Sequence, residues 1–219
     1  MRLRALLLAA PLALAVTGCI SLLPEPPPPP LIFSLEAAPA AQPLAARPKN
    51  VVIAVALPDA TRALSGSDLA WRKDGALAYV EGASWEGRGL DLLQNLMVHT
   101  IDRRGLARGA VRLGEGTANA ELRWDLLTFE VVENGSLEAR LRTSVKVFDS
   151  RTRTLIAARE FDESAPLADR SASAAARALE AVAQAAAADI GDWAVAQVNE
   201  QDLVRRPAPA ASQAPAAPL

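Results

Sequence analysis

The sequence predicts an α+β domain, a two-layer sandwich in which a mostly antiparallel sheet (a hairpin plus a three-strand meander) packs against two helices. Three observations predict it. Asn134-Gly135 stands between two long runs of alternating apolar and polar residues, a strong hairpin signal. Lys73-Asp74-Gly75 stands in the same way between two shorter runs, Leu69 to Arg72 and Ala76 to Val80. Two later stretches carry apolar residues at helical spacing, one ending at Gly105 and one opening at Ser171. The order β, β-hairpin, α, three-strand meander, α closes into two layers.

The chain opens with a segment to set apart from the fold. Met1-Arg2-Leu3-Arg4 is basic, and Ala5 to Val16 is apolar except for Pro11. That run is shorter than the ~20 residues a helix needs to cross a bilayer core. A basic start, a short apolar core and small residues at its end make a secretory signal over residues 1–18. The run closes on Val16-Thr17-Gly18-Cys19, which looks like a bacterial lipobox, with cleavage between Gly18 and Cys19 and acylation of the thiol. An ordinary secretory signal with an incidental cysteine is the competing reading. It leaves the position of the thiol, directly after small Gly18, unexplained. Cys19 is the only cysteine, so no intramolecular disulfide can form. Several acyl chains on Cys19 would anchor the chain stably, since each buried methylene contributes about 0.8 kcal/mol. Ile20 and Ser21 follow in place of an aspartate, so outer-membrane sorting is the expectation.

Residues 19–48 read as a tether. Pro24-Glu25-Pro26 runs into Pro27 to Pro30, a polyproline II spacer of roughly 20 Å. Leu31 to Leu35 reads as a short strand, and Ala37 to Pro48 as a loose connector. The folded domain is expected over 49–199. Val51 to Leu57 is a buried strand ended by Pro58-Asp59. Ser84 is expected to cap a helix starting near Trp85, with Leu90, Leu93, Met97 and Ile101 on its inner stripe and Gly105 as its stop. Ala120 to Glu133 and Leu137 to Phe148 form the long hairpin. In the second of these, Leu137, Ala139, Leu141, Thr143, Val145 and Val147 alternate with charged and polar residues, giving one buried and one wet face. In the first, Leu122, Trp124 and Leu126 give way to Leu127, Phe129 and Val131, a change of parity that predicts a bulge at Leu126-Leu127. Thr154 to Asp162 is the third strand. The Ala-rich helix to about Val198 presents Leu179, Val182, Ala186, Ile190 and Trp193 to the meander. Residues 200–219 are rich in Ala and Pro without periodicity and read as a disordered tail.

Composition excludes several functions. The chain carries a formal charge of −2, about −4 once Arg2 and Arg4 leave with the signal, which provides no basic footprint for nucleic acid. The single histidine, His99, reads as a helix-surface residue and supports neither a Ser/His/acid set nor a zinc site. Gly87 and Gly89 lack the lysine and preceding strand of a phosphate loop. Asp162-Glu163 and Asp68/Asp74 read as solvated turn residues. No metal, no cofactor beyond the acyl chains on Cys19, and no enzymatic activity are expected.

The segment from Leu57 to Gly105, LPDATRALSGSDLAWRKDGALAYVEGASWEGRGLDLLQNLMVHTIDRRG, resembles the ABC-type transport auxiliary lipoprotein family. Tyr79, Ala83, Trp85, Leu92, Leu93 and Gly105 stand where that family has its hairpin aromatic, the alanine and tryptophan near it, its leucine-rich helix and the closing glycine. Cys19 and the strand around Phe33-Ser34-Leu35 agree with it. A proline common after the Trp segment is absent, where Gly87 to Gly89 stand. The resemblance implies a periplasm-facing lipoprotein, lipid-anchored at the outer membrane, partnered with an ABC transporter permease and ATPase and an MCE-type lipid-binding protein. Such systems move phospholipid or other hydrophobic molecules between membranes. Exposed sheet edges leave room for a homo-oligomer, and Trp71 and Tyr79 on the hairpin are the expected interface aromatics. A lipoprotein that activates cell-wall synthesis or assists outer-membrane assembly is the alternative, because a Pro-rich stalk serves either.

Overall fold

A computed structural model describes residues 29–39 and 48–198. The signal, Gly18 and Cys19, most of the proline run and the tail over 200–219 lie outside them. The strands are β1 (Leu31–Phe33), β2 (Lys49–Val55), β3 (Asp59–Ala60), β4 (Asp68–Lys73), β5 (Ala76–Trp85), β6 (Ala107–Arg112), β7 (Ala120–Asn134), β8 (Ser136–Asp149) and β9 (Leu155–Pro166). Two helices, α1 (Gly89–Arg104) and α2 (Ala172–Gln197), form the second layer.

The domain is α+β, but its sheet is mixed rather than mostly antiparallel, and this corrects the sequence reading. β1 runs parallel to β5, β2 to both β6 and β7, and β3 and β4 to β7. Only the β4–β5 hairpin and the β7–β8–β9 meander are antiparallel. The reading assumed that strands adjacent in sequence pair with one another. Here β2, β3 and β4 return to β7 through long connections, and a crossover of a dozen or more residues produces parallel neighbours.

β7 is the spine. Its fifteen residues span about 50 Å at ~3.3 Å each. One side pairs with β8 along its whole length. The other side is shared along the strand, with β2 beside Ala120 to Leu122, β3 beside Asp125 and Leu126, and β4 beside Val131 to Glu133. The expected bulge is present, because pairing shifts between Leu126 and Thr128. Leu127 is itself the extra residue and is 46% exposed, so it does not join Phe129 and Val131 in the core.

Local chemistry explains the turns. At the β4–β5 hairpin Asp74 and Gly75 both adopt positive φ, 49° and 82°, the arrangement that Asp-Gly favours. Gly105 ends α1 at φ 64°, its N–H donating to the Asp102 carbonyl. The start of α1 differs from expectation. Ser84 and Trp85 remain in β5 because they pair with Ile32 and Phe33 of β1. Trp85 stacks on Phe129 with centroids 5.9 Å apart, and the helix begins only after Arg88. α2 opens as expected, with Ser171 Oγ accepting from the Ala174 N–H at 3.1 Å.

The core lies between the helices and one face of the sheet. Leu141, Val145 and Val147 of β8, Leu122 and Val131 of β7, and Leu179, Val182 and Ile190 of α2 are all buried there. Trp124 is buried too, its Nε1 donating to the Ala56 carbonyl at 2.8 Å. Trp193 is half-buried against Phe161. Small residues bring the helices together, and a Cβ built on Gly191 would lie 3.1 Å from Ile101 Cγ1. Lys49 closes the C-terminus of α2, its Nζ donating to the carbonyls of Val195, Ala196 and Val198. Among the described residues no helix is long and apolar enough to cross a membrane.

Candidate partner interface

The first candidate is the segment over residues 31–38. β1 pairs with the last three residues of β5, and the Glu86 N–H donates to the Phe33 carbonyl at 2.8 Å. Beyond β1 the backbone crosses both helices. The Glu36 N–H donates to Glu180 Oε1 at 3.3 Å, and Gln184 Nε2 donates to the Glu36 carbonyl at 2.8 Å. Arg103 of α1 donates to the carbonyls of Ala37 and Ala38. Leu35 and Ala37 are buried beneath. These contacts strap residues 31–38 onto the helix layer and the sheet by side chains and backbone together. The sequence reading took 37–48 as a loose connector; Ala37 and Ala38 are held by Arg103.

The second candidate is the hairpin with the two predicted aromatics. The pleat separates them. Trp71 pairs in register with Val131 of the buried face and packs on the core, with Nε1 donating to Glu133 Oε2 at 3.3 Å. Tyr79 pairs with Ala70, one residue out of phase and therefore on the open face. It is 47% exposed, and its hydroxyl donates to the Ala63 carbonyl. The two do not make one patch.

The open face is a lattice of ion pairs. Arg72 forks onto Glu130 at 2.6 and 2.9 Å. Arg140 forks onto Asp162 at 2.9 and 2.6 Å. Lys146 reaches Asp125, and Arg123 reaches Glu121. Asp162 is held below the usual carboxylate range chiefly by the Arg140 hydrogen bonds. On the other side of the sheet Glu133 accepts from Arg170 and lies near Lys73. The Arg170 hydrogen bond is the main reason its carboxyl is pulled down to about 2. Such a face is already satisfied, which suits water better than a partner.

The third candidate is the end of the sheet where β2 and β6 finish. A cleft of about 350 Å³ is lined by Leu57, Leu113, Trp124 and Phe148 with Arg123 and Lys146 at its rim. Leu57 and Leu113 are about two-fifths exposed, and the Arg123 guanidinium lies 5.6 Å from the Phe148 ring centroid. Leu113 also borders a cleft of about 420 Å³ formed with Thr117, Asn119 and Ser150. Sequence reasoning missed this end because it placed no element between Gly105 and Ala120. β6, with only Ala, Gly, Val and Arg in six residues, has no alternation to read.

His99 is exposed on α1. Among the described residues no group of His, Cys, Asp and Glu is placed to hold a metal ion. The acidic pair Asp162-Glu163 lies in β9 rather than in a turn. Asp162 is ion-paired on the open face, and the Glu163 carboxyl is pushed up by burial and then by Asp189 and Asp162.

The comparisons with known proteins agree with this architecture. A model of the ABC-type transport auxiliary lipoprotein component family matches residues 33–191. No curated protein matches the chain. Protein XCC0632 of Xanthomonas campestris, a solved structure assigned to family DUF330, is similar at 22% identity and a TM-score of 0.70, covering 78% of this chain and 97% of its own. A second solved, uncharacterized protein is similar at 12% identity and a TM-score of 0.62, over 76% and 99% of the two chains. At these identities the likeness is one of fold alone. A point-variant PelC dodecamer of Paraburkholderia phytofirmans is more remote, at 11% identity and a TM-score of 0.42 over 67% of this chain and 90% of its own. The matched model covers most of the chain, and the chain belongs to the ABC-type transport auxiliary lipoprotein component family.

Proposed function

We propose that this chain is a non-enzymatic docking component of an ABC/MCE-type system that moves phospholipid or another hydrophobic molecule between membranes. It is anchored by acyl chains on Cys19 in the outer membrane and faces the periplasm. Membership of the family supports the transport role, since its members are lipoproteins auxiliary to ABC-type transport. The observation that carries the docking role is the strap. Residues 31–38 are bound to β5, α1 and α2 together, so a load on the tether passes into the whole sandwich rather than into one fraying end. A protein that holds a conduit in place needs that connection. The anchored end fixes position, the proline run sets reach, and the domain offers Tyr79 and the Leu57–Leu113 end as exposed apolar surface.

Deleting the gene in its host and restoring it as wild type or Cys19→Ala tests this reading. Movement of a fluorescent phospholipid between the membranes should fall on deletion and return with the wild type alone. Unchanged movement in the deletion strain, or a defect in cell-wall synthesis in its place, contradicts the proposal and favours the activator alternative.

A further inference from the structure

We infer that two copies of the chain join edge to edge through β9, antiparallel about a two-fold axis at Phe161, with Arg159 of each copy against Glu163 of the other. The inference does not depend on the transport reading. It begins from a free edge. β9 pairs with β8 only, so the other side of its twelve residues offers unpaired backbone groups. The remaining free edges are shorter: β1 has three residues, β5 is unpaired on its outer side only over residues 76–82, and β6 has six. A long edge of this kind is a template for another strand unless charges deter it.

β9 does carry charges, and their arrangement is self-complementary. Arg159, Phe161 and Glu163 are in register with Val145, Thr143 and Leu141 of β8, which places all three on the helix side of the sheet. Arg159 has no acidic partner among the described residues and lies over the Phe161 ring, 4.8 Å from its centroid. Glu163 has no basic partner among them. Its surroundings are Leu141 in register, Asp189 on α2 and Asp162 beside it, and burial with these two acids raises its carboxyl. An unpaired half-buried acid and an unpaired base therefore stand two residues either side of one aromatic.

Symmetry makes use of that spacing. A two-fold axis perpendicular to the sheet keeps both helix layers on one side, and it pairs residues equidistant from the axis on the same face. Centred on Phe161, it sets Arg159 opposite Glu163 twice, Ala157 opposite Ala165 twice, and Phe161 opposite itself. The incoming guanidinium enters the acidic surroundings of Glu163 and Asp189. On the open face Glu160 and Asp162 meet, but both carry their own cations, Arg142 at 3.7 Å and Arg140 at 2.6 Å. Moving the axis to Arg159 or Glu163 would set like charges opposite each other, whereas the axis at Phe161 pairs both opposite charges.

The test uses the full chain extracted from membranes in mild detergent, with association measured by sedimentation. Wild type should sediment as a dimer. Arg159→Glu and Glu163→Arg should each weaken self-association at least ~10-fold, because each sets like charges opposite one another. Mixing the two single variants should restore a dimer, one copy of each, and the Arg159→Glu/Glu163→Arg double variant should pair like wild type. Within one chain, residues 157 and 165 are ~27 Å apart along the strand, so a short bismaleimide can join Ala157→Cys to Ala165→Cys only between copies. That crosslink decides the matter if Glu163→Arg fails to fold. A wild-type monomer, an assembly indifferent to both reversals, or an assembly without the 157–165 crosslink overturns the inference.

Discussion

The two faces of the one sheet are held by different physics. On the helix side β8 presents Ala139, Leu141, Val145 and Val147, each 1% exposed or less, against α2. On the open side the same strand presents Arg140, Arg142 and Lys146, paired with acids on β7 and β9. Apolar burial contributes about 25 cal/mol per Å², and a full side chain about 1.5–3 kcal/mol. A solvated ion pair contributes about 0–1 kcal/mol. Stability therefore belongs to one face, while the other keeps the sheet soluble and holds strands in register. Neither device covers the Leu57–Leu113 end or Tyr79 on the open side, which remain exposed apolar surface.

The contrast can be broken most forcefully at Leu141. Leu141→Ala opens a cavity beneath α2 and should lower stability by about 2–5 kcal/mol in urea unfolding. Gly191→Leu should cost about 1–3 kcal/mol through overpacking against Ile101, with α1 displaced from α2. Lys49→Met removes the cation from three carbonyls at the end of α2 and should cost about 1–2 kcal/mol. Arg140→Ala, one residue from Leu141 but on the open face, should change stability by about 0–1 kcal/mol. A loss there equal to that of Leu141→Ala would erase the distinction.

The smallest effect is one of pH. Glu133 has its folded pKa lowered to about 2, first by its hydrogen bond from Arg170 and further by Lys73, against an ordinary value of 4.5. Between those values the unfolded chain binds the proton and the folded chain does not, so this contribution is complete above about pH 4.5 and is lost as the pH falls through about 2. The stability difference between wild type and Glu133→Gln should shrink from pH 7 to pH 3, as read by denaturant melts at each pH.

The same contrast explains what was legible in the sequence. The alternation in β8 is a local, period-two signal, so its two faces could be read directly. The parity change in β7 revealed the bulge for the same reason. It did not reveal which leucine would be expelled, because that depends on where β3 ends and β4 begins alongside. The parallel pairings were hidden, since the register between β2, β6 and β7 is set by distant crossovers and not by residues near one another in the chain. Ser84 was a sound local cap signal, overridden by the pairing of β1 with the end of β5. The interface aromatics were chosen by residue type and hairpin position. Only the observed register shows that Trp71 faces inward while Tyr79 faces out.

The docking role is tested most directly by a crosslinked pull-down of the membrane-anchored protein from its own host, beside a Cys19→Ala control. Recovery of an MCE-type lipid-binding protein or the transporter permease and ATPase is expected, weakened or lost without the anchor. Recovery of a wall synthase with no transporter component would contradict it.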